Sequence, residues 1–391
     1  LSTPEQDTSL STESQSHVSE RSAGLNADLS ADSSTAEAAT HAPAATASLH
    51  SSGLTLGAVM AAVAAVLIAV SAGLAVGPVN IAAHRVGLQL LDALPAVSLD
   101  SGLSSIQIAI VEQIRLPRVA LGLLVGATLS MSGAAYQGAF RNPLADPYLL
   151  GIAAGAGLGA TIAITSNLGD GAGALDPVPL AAFAGALVSV AVSYLVGHIG
   201  GRSTASLILA GIAVASFLTA CQTYVLQANS DAFRLIFSWI LGRIATSGWS
   251  EPALLLPYFA ITTAVVLRYR RALDVLSVGD EEATALGIAP RRVRLVVVLA
   301  ASLGAAAAVS VSGLIGFVGI IVPHAVRLVF GSSNRVVLPL SVLFGAAFMV
   351  LADLAARTVL APAELPIGVV TAFLGAPFFA LVLRTSRREI W

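Results

Sequence analysis

The stretch RLPRVALGLLVGATLSMSGAAYQGAFRNPLADPYLLGIAAGAGLG, residues 115 to 159, decides how the rest of the chain is read. Arg115 and Arg118 flank Pro117, an apolar run follows, and polar breaks come at Arg141-Asn142-Pro143 and at Asp146-Pro147. The run holds about 22 apolar or small residues, and at about 1.5 Å per residue a helix of that length reaches about 30 Å, the thickness of a hydrocarbon core. The two polar edges are therefore expected at opposite membrane faces. The prolines suit loop and first-turn positions, where a missing N–H costs least.

Composition agrees. Mean hydropathy is +0.85, 56% of residues are hydrophobic and only 11% are charged, far from the averages of a soluble domain. The single Cys221 permits no intrachain disulfide, so helix packing must hold the fold. A net charge of −2 gives no reason to expect nucleic acid as a partner. All 20 basic residues are arginine. A P-loop places a lysine on the β- and γ-phosphates, so this chain is not expected to carry a conventional ATPase site; any ATP energy must come from another subunit.

In chain order, residues 1–52 are rich in Ser, Thr, Ala, Asp and Glu and lack aromatic residues. Such a segment buries too little surface to offset its ordering entropy, and a disordered cytoplasmic tail is expected. It has no short basic start joined to an apolar stretch, so it does not read as a secretory signal. Residues 53–391 read as one membrane domain. Spans are expected at about 54–76, 119–139, 149–164, 180–196, 207–226, 252–267, 295–311, 313–331, 336–359 and 366–383, about ten in all. Gly151, Gly155 and Gly159 put glycine on one face of the short third span, where a neighbouring backbone can come close. GAGLGA sits inside that apolar run with no strand before it, which argues for helix packing over a nucleotide loop. Residues 231–244 are amphipathic and aromatic, too charged to span comfortably, and suit an interface-lying helix.

The most polar internal segment is 268–294. Gly279 opens a turn, Asp280, Glu281 and Glu282 suit a helix N-terminus, Ala283, Thr284, Ala285 and Leu286 continue it, and Gly287 ends it. Besides being a solvated loop it reads as a docking surface, because Leu286 and Ile288 stay apolar among charges. With both termini in the cytoplasm, the arginines outnumber those on the other face about two to one, as the positive-inside rule requires. That orientation leaves Arg115, Arg118 and Arg357 outside. Asp353 precedes Arg357 by one turn, a spacing suited to an intrahelical pair. These arginines either snorkel at the interface or anchor carboxylates of an outer partner, for which guanidinium geometry is well suited.

The 115–159 stretch closely resembles the second and third spans of permeases from binding-protein-dependent ABC importers of iron chelates, haem and vitamin B12. GLIGFVGIIVPHAVRLVFG at 313–331 and ADLAARTVLAPAELPIGVVTAFLGAPFF at 352–379 resemble the same family's C-terminal signatures. The likeness covers residues from about 54 onward; only the long N-terminal tail departs. It implies an all-α type II importer permease with about ten transmembrane helices per subunit, located in the inner or plasma membrane. It also implies a second copy of the chain, two ATP-binding cassette ATPase subunits that hold the ATP and Mg, and an extracytoplasmic binding protein. Arg115, Arg118 and Arg357 match the arginines that meet that protein's glutamates, and Gly279–Gly287 matches the coupling helix. No cofactor is expected on this chain itself. The implied function is ATP-driven import, by alternating access, of haem or another iron chelate such as a ferric siderophore, with cobalamin as the alternative cargo.

Two other classes fit less well. An ion-coupled secondary transporter places ionisable groups near the bilayer centre, whereas the acidic residues here collect in loops and at span ends. An intramembrane enzyme needs a His/Asp/Glu or Ser/His cluster, which spans this poor in polar residues do not supply. His324, after Pro323, reads as a structural hydrogen-bonding group beside a helix break rather than a haem ligand.

Overall fold

The structure is a computed structural model that describes residues 53–386 except 78, 80, 93–99, 167–175, 202–203 and 245–247. The disordered tail expected over residues 1–52 lies outside the described residues. Helices are α1 (Leu56–Ala75), α2 (Ala83–Asp92), α3 (Ser105–Ala109), α4 (Leu116–Phe140), α5 (Ile152–Thr165), α6 (Pro177–Ile199), α7 (Thr204–Ala228) and α8 (Phe233–Ile240). They continue with α9 (Ser250–Val278), α10 (Asp280–Ala285), α11 (Pro290–Ser312), α12 (Val318–Phe330), α13 (Asn334–Thr358) and α14 (Ile367–Ser386). The described residues contain no strand. Among the described residues, seven helices are long and apolar enough to cross a membrane, and three shorter apolar ones, in α5, α12 and α14, complete the set expected from hydropathy.

α4 is the axis of the bundle. It packs against α13, α11, α9 and α12, and nearly every side chain from Leu121 to Ala139 is buried. Its glycines explain how four helices crowd one. A β-carbon on Gly133 would lie 2.0 Å from the Gly319 carbonyl oxygen, and one on Gly126 would lie 2.2 Å from that of Gly345. Backbones therefore touch, and packing contacts replace the hydrophobic drive that lipid cannot provide.

Four boundaries differ from expectation, the simplest being α12, which begins at Val318 rather than at 313 because residues 313–317 are not helical. The second span was expected from Val119, but the helix starts at Ser105, capped by a Ser104/Gln107 box, and passes through a π-helical stretch at Ile110–Arg115. That wider turn tolerates Pro117, which cannot donate a main-chain bond. α9 continues to Val278, three turns past the expected end, so Arg268, Arg270 and Arg271 ride on a helix rather than a loop. Gly151 is not on the glycine face of α5. It precedes the helix at φ +78°, a left-handed conformation that glycine adopts without strain, while Gly155 and Gly159 make the close approach to α6.

The chain end of α8 lies across helix ends rather than spanning. Main-chain carbonyls of Leu241 and Gly242 accept from Gly368 and Ile367 at the start of α14, and Arg243 N–H donates to Ser312 O at the end of α11. These contacts satisfy helix-terminal groups that would otherwise be orphaned.

Candidate functional site

Charged side chains gather at the two ends of α4, and a cavity lies between them. At the N-terminal end, Arg115 donates to Leu74 O at 2.6 Å and to Ala75 O at 3.0 Å, with a further bond to Val79 O. Arg357 reaches the same helix end and donates to Gly73 O. Two arginines thus cap the C-terminus of α1, where carbonyls carry partial negative charge. Arg118 does something different. Its guanidinium lies 2.9–3.1 Å from both Asp353 oxygens and donates to Glu364 at 2.9 and 3.0 Å. Asp353 also pairs with Arg357 at 3.6 Å, as the one-turn spacing suggested.

The three arginines expected at an outer mouth therefore come together, but not as free cations. Arg115 is 4% exposed and Arg357 6%; Arg115 is spent on carbonyls, and Arg357 on a carbonyl and on Asp353. Arg118 alone contacts an exposed carboxylate, Glu364 on the loop between α13 and α14. The Arg118 hydrogen bond holds the Glu364 carboxyl below its usual pKa range. Asp353 and Glu364 as partners of Arg118 were not read from the sequence. The contacts span 235 and 246 residues, and no local pattern encodes them.

At the other end of α4, α10 is one and a half turns of helix. Its Asp280 carboxylate takes two bonds from Arg294, at 2.7 and 2.5 Å, and pairs with Arg141 at 3.2 Å. Arg294 also donates to Ala139 O at 3.0 Å, capping α4. The arginine hydrogen bonds keep the Asp280 carboxyl below its ordinary pKa. Ala283 is buried, while Glu281, Glu282, Thr284, Ala285, Leu286 and Gly287 are exposed. Leu286 is 71% exposed, and Gly279 and Gly287 bracket the helix as expected. A second clamp joins α9 to α13 beside it. Asp274 accepts from Ser333 Oγ and from the Asn334 N–H and pairs with Arg335.

Between the clusters is a cavity of about 830 Å³, bordered by α7, the 146–149 turn and residues 316–320. Ser216, Thr219 and Thr223 give α7 a hydroxyl-bearing face towards it, and Asp146 is its one charged lining residue among those described. Tyr148 fixes the wall by donating to Ile315 O at 2.9 Å. The size suits a small-molecule site. The sequence signal for the α7 border is the set of hydroxyls at 216, 219 and 223, a spacing of three and four that puts them on one helix face. Among the described residues no group of three His, Cys, Asp or Glu could hold a metal. His324 stacks edge-on against Phe378.

Residues 52–385 match the FecCD transport family. The cobalamin import system permease of Halobacterium salinarum is 43% identical over 290 residues, covering 74% of this chain and 77% of that protein. The hemin transport system permease of Yersinia pestis is 38% identical over 279 residues, with coverages of 71% and 83%. The Fe(3+)-citrate import permease YfmD of Bacillus subtilis is 35% identical over 309 residues, with coverages of 79% and 91%. A solved inward-facing conformation of a metal-chelate type ABC transporter superposes with a TM-score of 0.73 at 28% identity, covering 83% of this chain and 98% of that one.

Proposed function

The chain belongs to the FecCD transport family, and from that premise we propose that it is the permease subunit of an ATP-driven importer of haem or another iron chelate. It is a multi-pass membrane protein, and its family consists of ABC importer permeases. The family match across residues 52–385 carries the reading. Cobalamin is the second cargo, favoured by the 43% identity to an archaeal cobalamin permease.

In this reading two copies of the chain enclose the pathway, and the 830 Å³ cavity is one subunit's share of it. Two ATPase subunits bind the α10 end, which faces the cytoplasm with both termini, in the inner or plasma membrane. They hold ATP and Mg; this chain supplies none of the hydrolytic groups. A binding protein docks at the opposite end, on the cluster of Arg115, Arg118 and Arg357. Arg118 makes the exchange, because its partner Glu364 is exposed and a carboxylate of the docking protein can replace it. Arg115 and Arg357 hold that cluster in place from beneath.

Motion then has a short physical route. Closure of the ATPases moves α10, whose Asp280 grips Arg141 and Arg294. Arg141 ends α4 and begins the turn that supplies Asp146, Tyr148 and Leu149 to the cavity wall. A push on α10 is thereby delivered to the cavity within about ten residues of chain, through contacts that can switch as units. The test is uptake into proteoliposomes holding the permease, its ATPase and its binding protein, offered haem, ferric siderophores and cobalamin in turn. ATP-dependent accumulation of one cargo supports the reading; accumulation that follows a proton gradient without the ATPase refutes it.

A further inference from the structure

A second cavity, of about 410 Å³, lies at the α10 end and away from the proposed pathway. Its walls come from the ends of α4, α6, α7, α10 and α11. One side is cationic. Arg291 approaches His198 Nδ1 at 3.4 Å, and Arg294 stands beside them. Arg294 is paired with Asp280, whereas among the described residues no carboxylate pairs with Arg291. His198 is steadied by the ring of Tyr194, whose centroid lies 6.1 Å away. Because Arg291 approaches Nδ1, a neutral His198 offers Nε2–H as a donor, so the pair presents N–H groups and positive charge together.

The other side is apolar. Phe140, Leu207, Leu295 and Val298 form it. Along the same two helices, α6 and α7, Leu195, Ile199 and Leu209 are exposed, Ile199 at 86%. In a chain that spans a membrane these residues face acyl chains, so the cationic wall sits at the level where hydrocarbon gives way to head groups. The cavity therefore offers an anion-binding wall joined to an apolar floor and a lipid-facing rim. A free inorganic anion would use only the first of these.

We propose that this cavity is a binding site for the phosphate head group of an anionic phospholipid, held by Arg291 and His198, with an acyl chain along α6 and α7. Basic recesses between membrane helices recognise anionic lipid in this way, through charge at the leaflet surface and apolar contact below it. The occupant would lie against Asp280 and Thr284 of α10, so it would brace the segment that the transport reading assigns to the ATPase. Binding itself requires neither transport nor a partner subunit.

The full chain, purified in a zwitterionic detergent, tests this by native mass spectrometry and by lipid titration. Dioleoylphosphatidylglycerol is expected to bind roughly 10-fold more tightly than dioleoylphosphatidylcholine. The double substitution Arg291→Ala, His198→Ala should remove that preference and leave the weak phosphatidylcholine affinity unchanged, which also reports that the variant is folded. Arg291→Lys, which keeps the charge, should retain phosphatidylglycerol binding within about 3-fold. Equal affinity for the two lipids, or an undiminished preference in the double variant, would overturn the proposal. So would complete displacement of phosphatidylglycerol by millimolar inorganic phosphate in the same titration, because the occupant would then be a soluble phosphate and not a lipid.

Discussion

The two ends of α4 use the same chemistry for opposite purposes. At the Arg115 end two guanidiniums, those of Arg118 and Arg357, pair with Asp353 beneath the surface, and Arg115 and Arg357 are fixed on carbonyls of α1. At the Arg141 end two guanidiniums hold Asp280, whose side chain is 42% exposed, on a helix of six residues. The first arrangement locks α1, α4 and α13 together, since a buried charge that loses its partner is expensive. The second is a clip that solvent can compete for, so it can hold a moving part. Burial, rather than charge count, separates a joint from a hinge here.

Asp353→Asn breaks the comparison most sharply. It leaves Arg118 and Arg357 buried without their shared carboxylate and should destabilise the bundle by about 3–5 kcal/mol, read as a lowered unfolding midpoint in detergent. Charge reversal at Arg115 or Arg357 belongs in the same class: loss of fold should come before any loss of docking. Ala283→Pro comes next. It removes the bond from Ala283 N–H to Gly279 O and should cost about 3 kcal/mol locally, enough to unmake α10. Hydrolysis by the ATPase partner should then continue while cargo uptake per ATP falls; an unchanged ratio would place coupling elsewhere.

Asp280→Asn should have a smaller effect, about 1 kcal/mol or less, because the clamp is partly exposed. Its pH dependence has a definite sign. The Asp280 carboxyl titrates lower in the folded protein than its unfolded value of about 3.9. Its stabilisation is therefore complete above that unfolded value and is lost as pH falls through the lower folded one. Unfolding midpoints of wild type and variant should differ by a constant amount from pH 7 to about pH 5 and converge only in stronger acid. Glu364→Gln is the mildest change for stability, within about 1 kcal/mol. It should still tighten binding-protein docking by about 3-fold, because Arg118 loses a competing carboxylate. Surface plasmon resonance on nanodisc-held permease would measure it, and weaker docking would count against exchange at Arg118.

How much of this was legible in the sequence follows from range. The ten apolar segments and the brackets Gly279 and Gly287 around α10 are local features, set by hydropathy and by backbone freedom at glycine; each apolar segment has its helix, although several ends shift. The Asp353–Arg357 pair, one helical turn apart, was equally local. What could not be read depends on distant parts of the chain. The burial of Arg115 requires the end of α1, 41 residues away. The pairing of Arg118 requires α13 and the loop beyond it. The start of the second span at Ser105 was missed because polar Gln107, Glu112 and Gln113 dilute the hydropathy there. The bond from Gln89 Nε2 to Glu112 shows how one of these polar groups is accommodated.

The most direct test is to ask which side of the membrane each end of α4 faces. In a Cys221→Ser background, single cysteines replace Leu286 beside α10 and Leu360 beyond α13, both exposed, and intact cells are treated with a membrane-impermeant maleimide. The account predicts that the cysteine at position 360 is labelled from outside and shielded by the binding protein. The cysteine at position 286 should be labelled only after the cytoplasm is opened, and shielded by the ATPase subunit. Labelling of both positions from one side, or the reverse assignment, would contradict it.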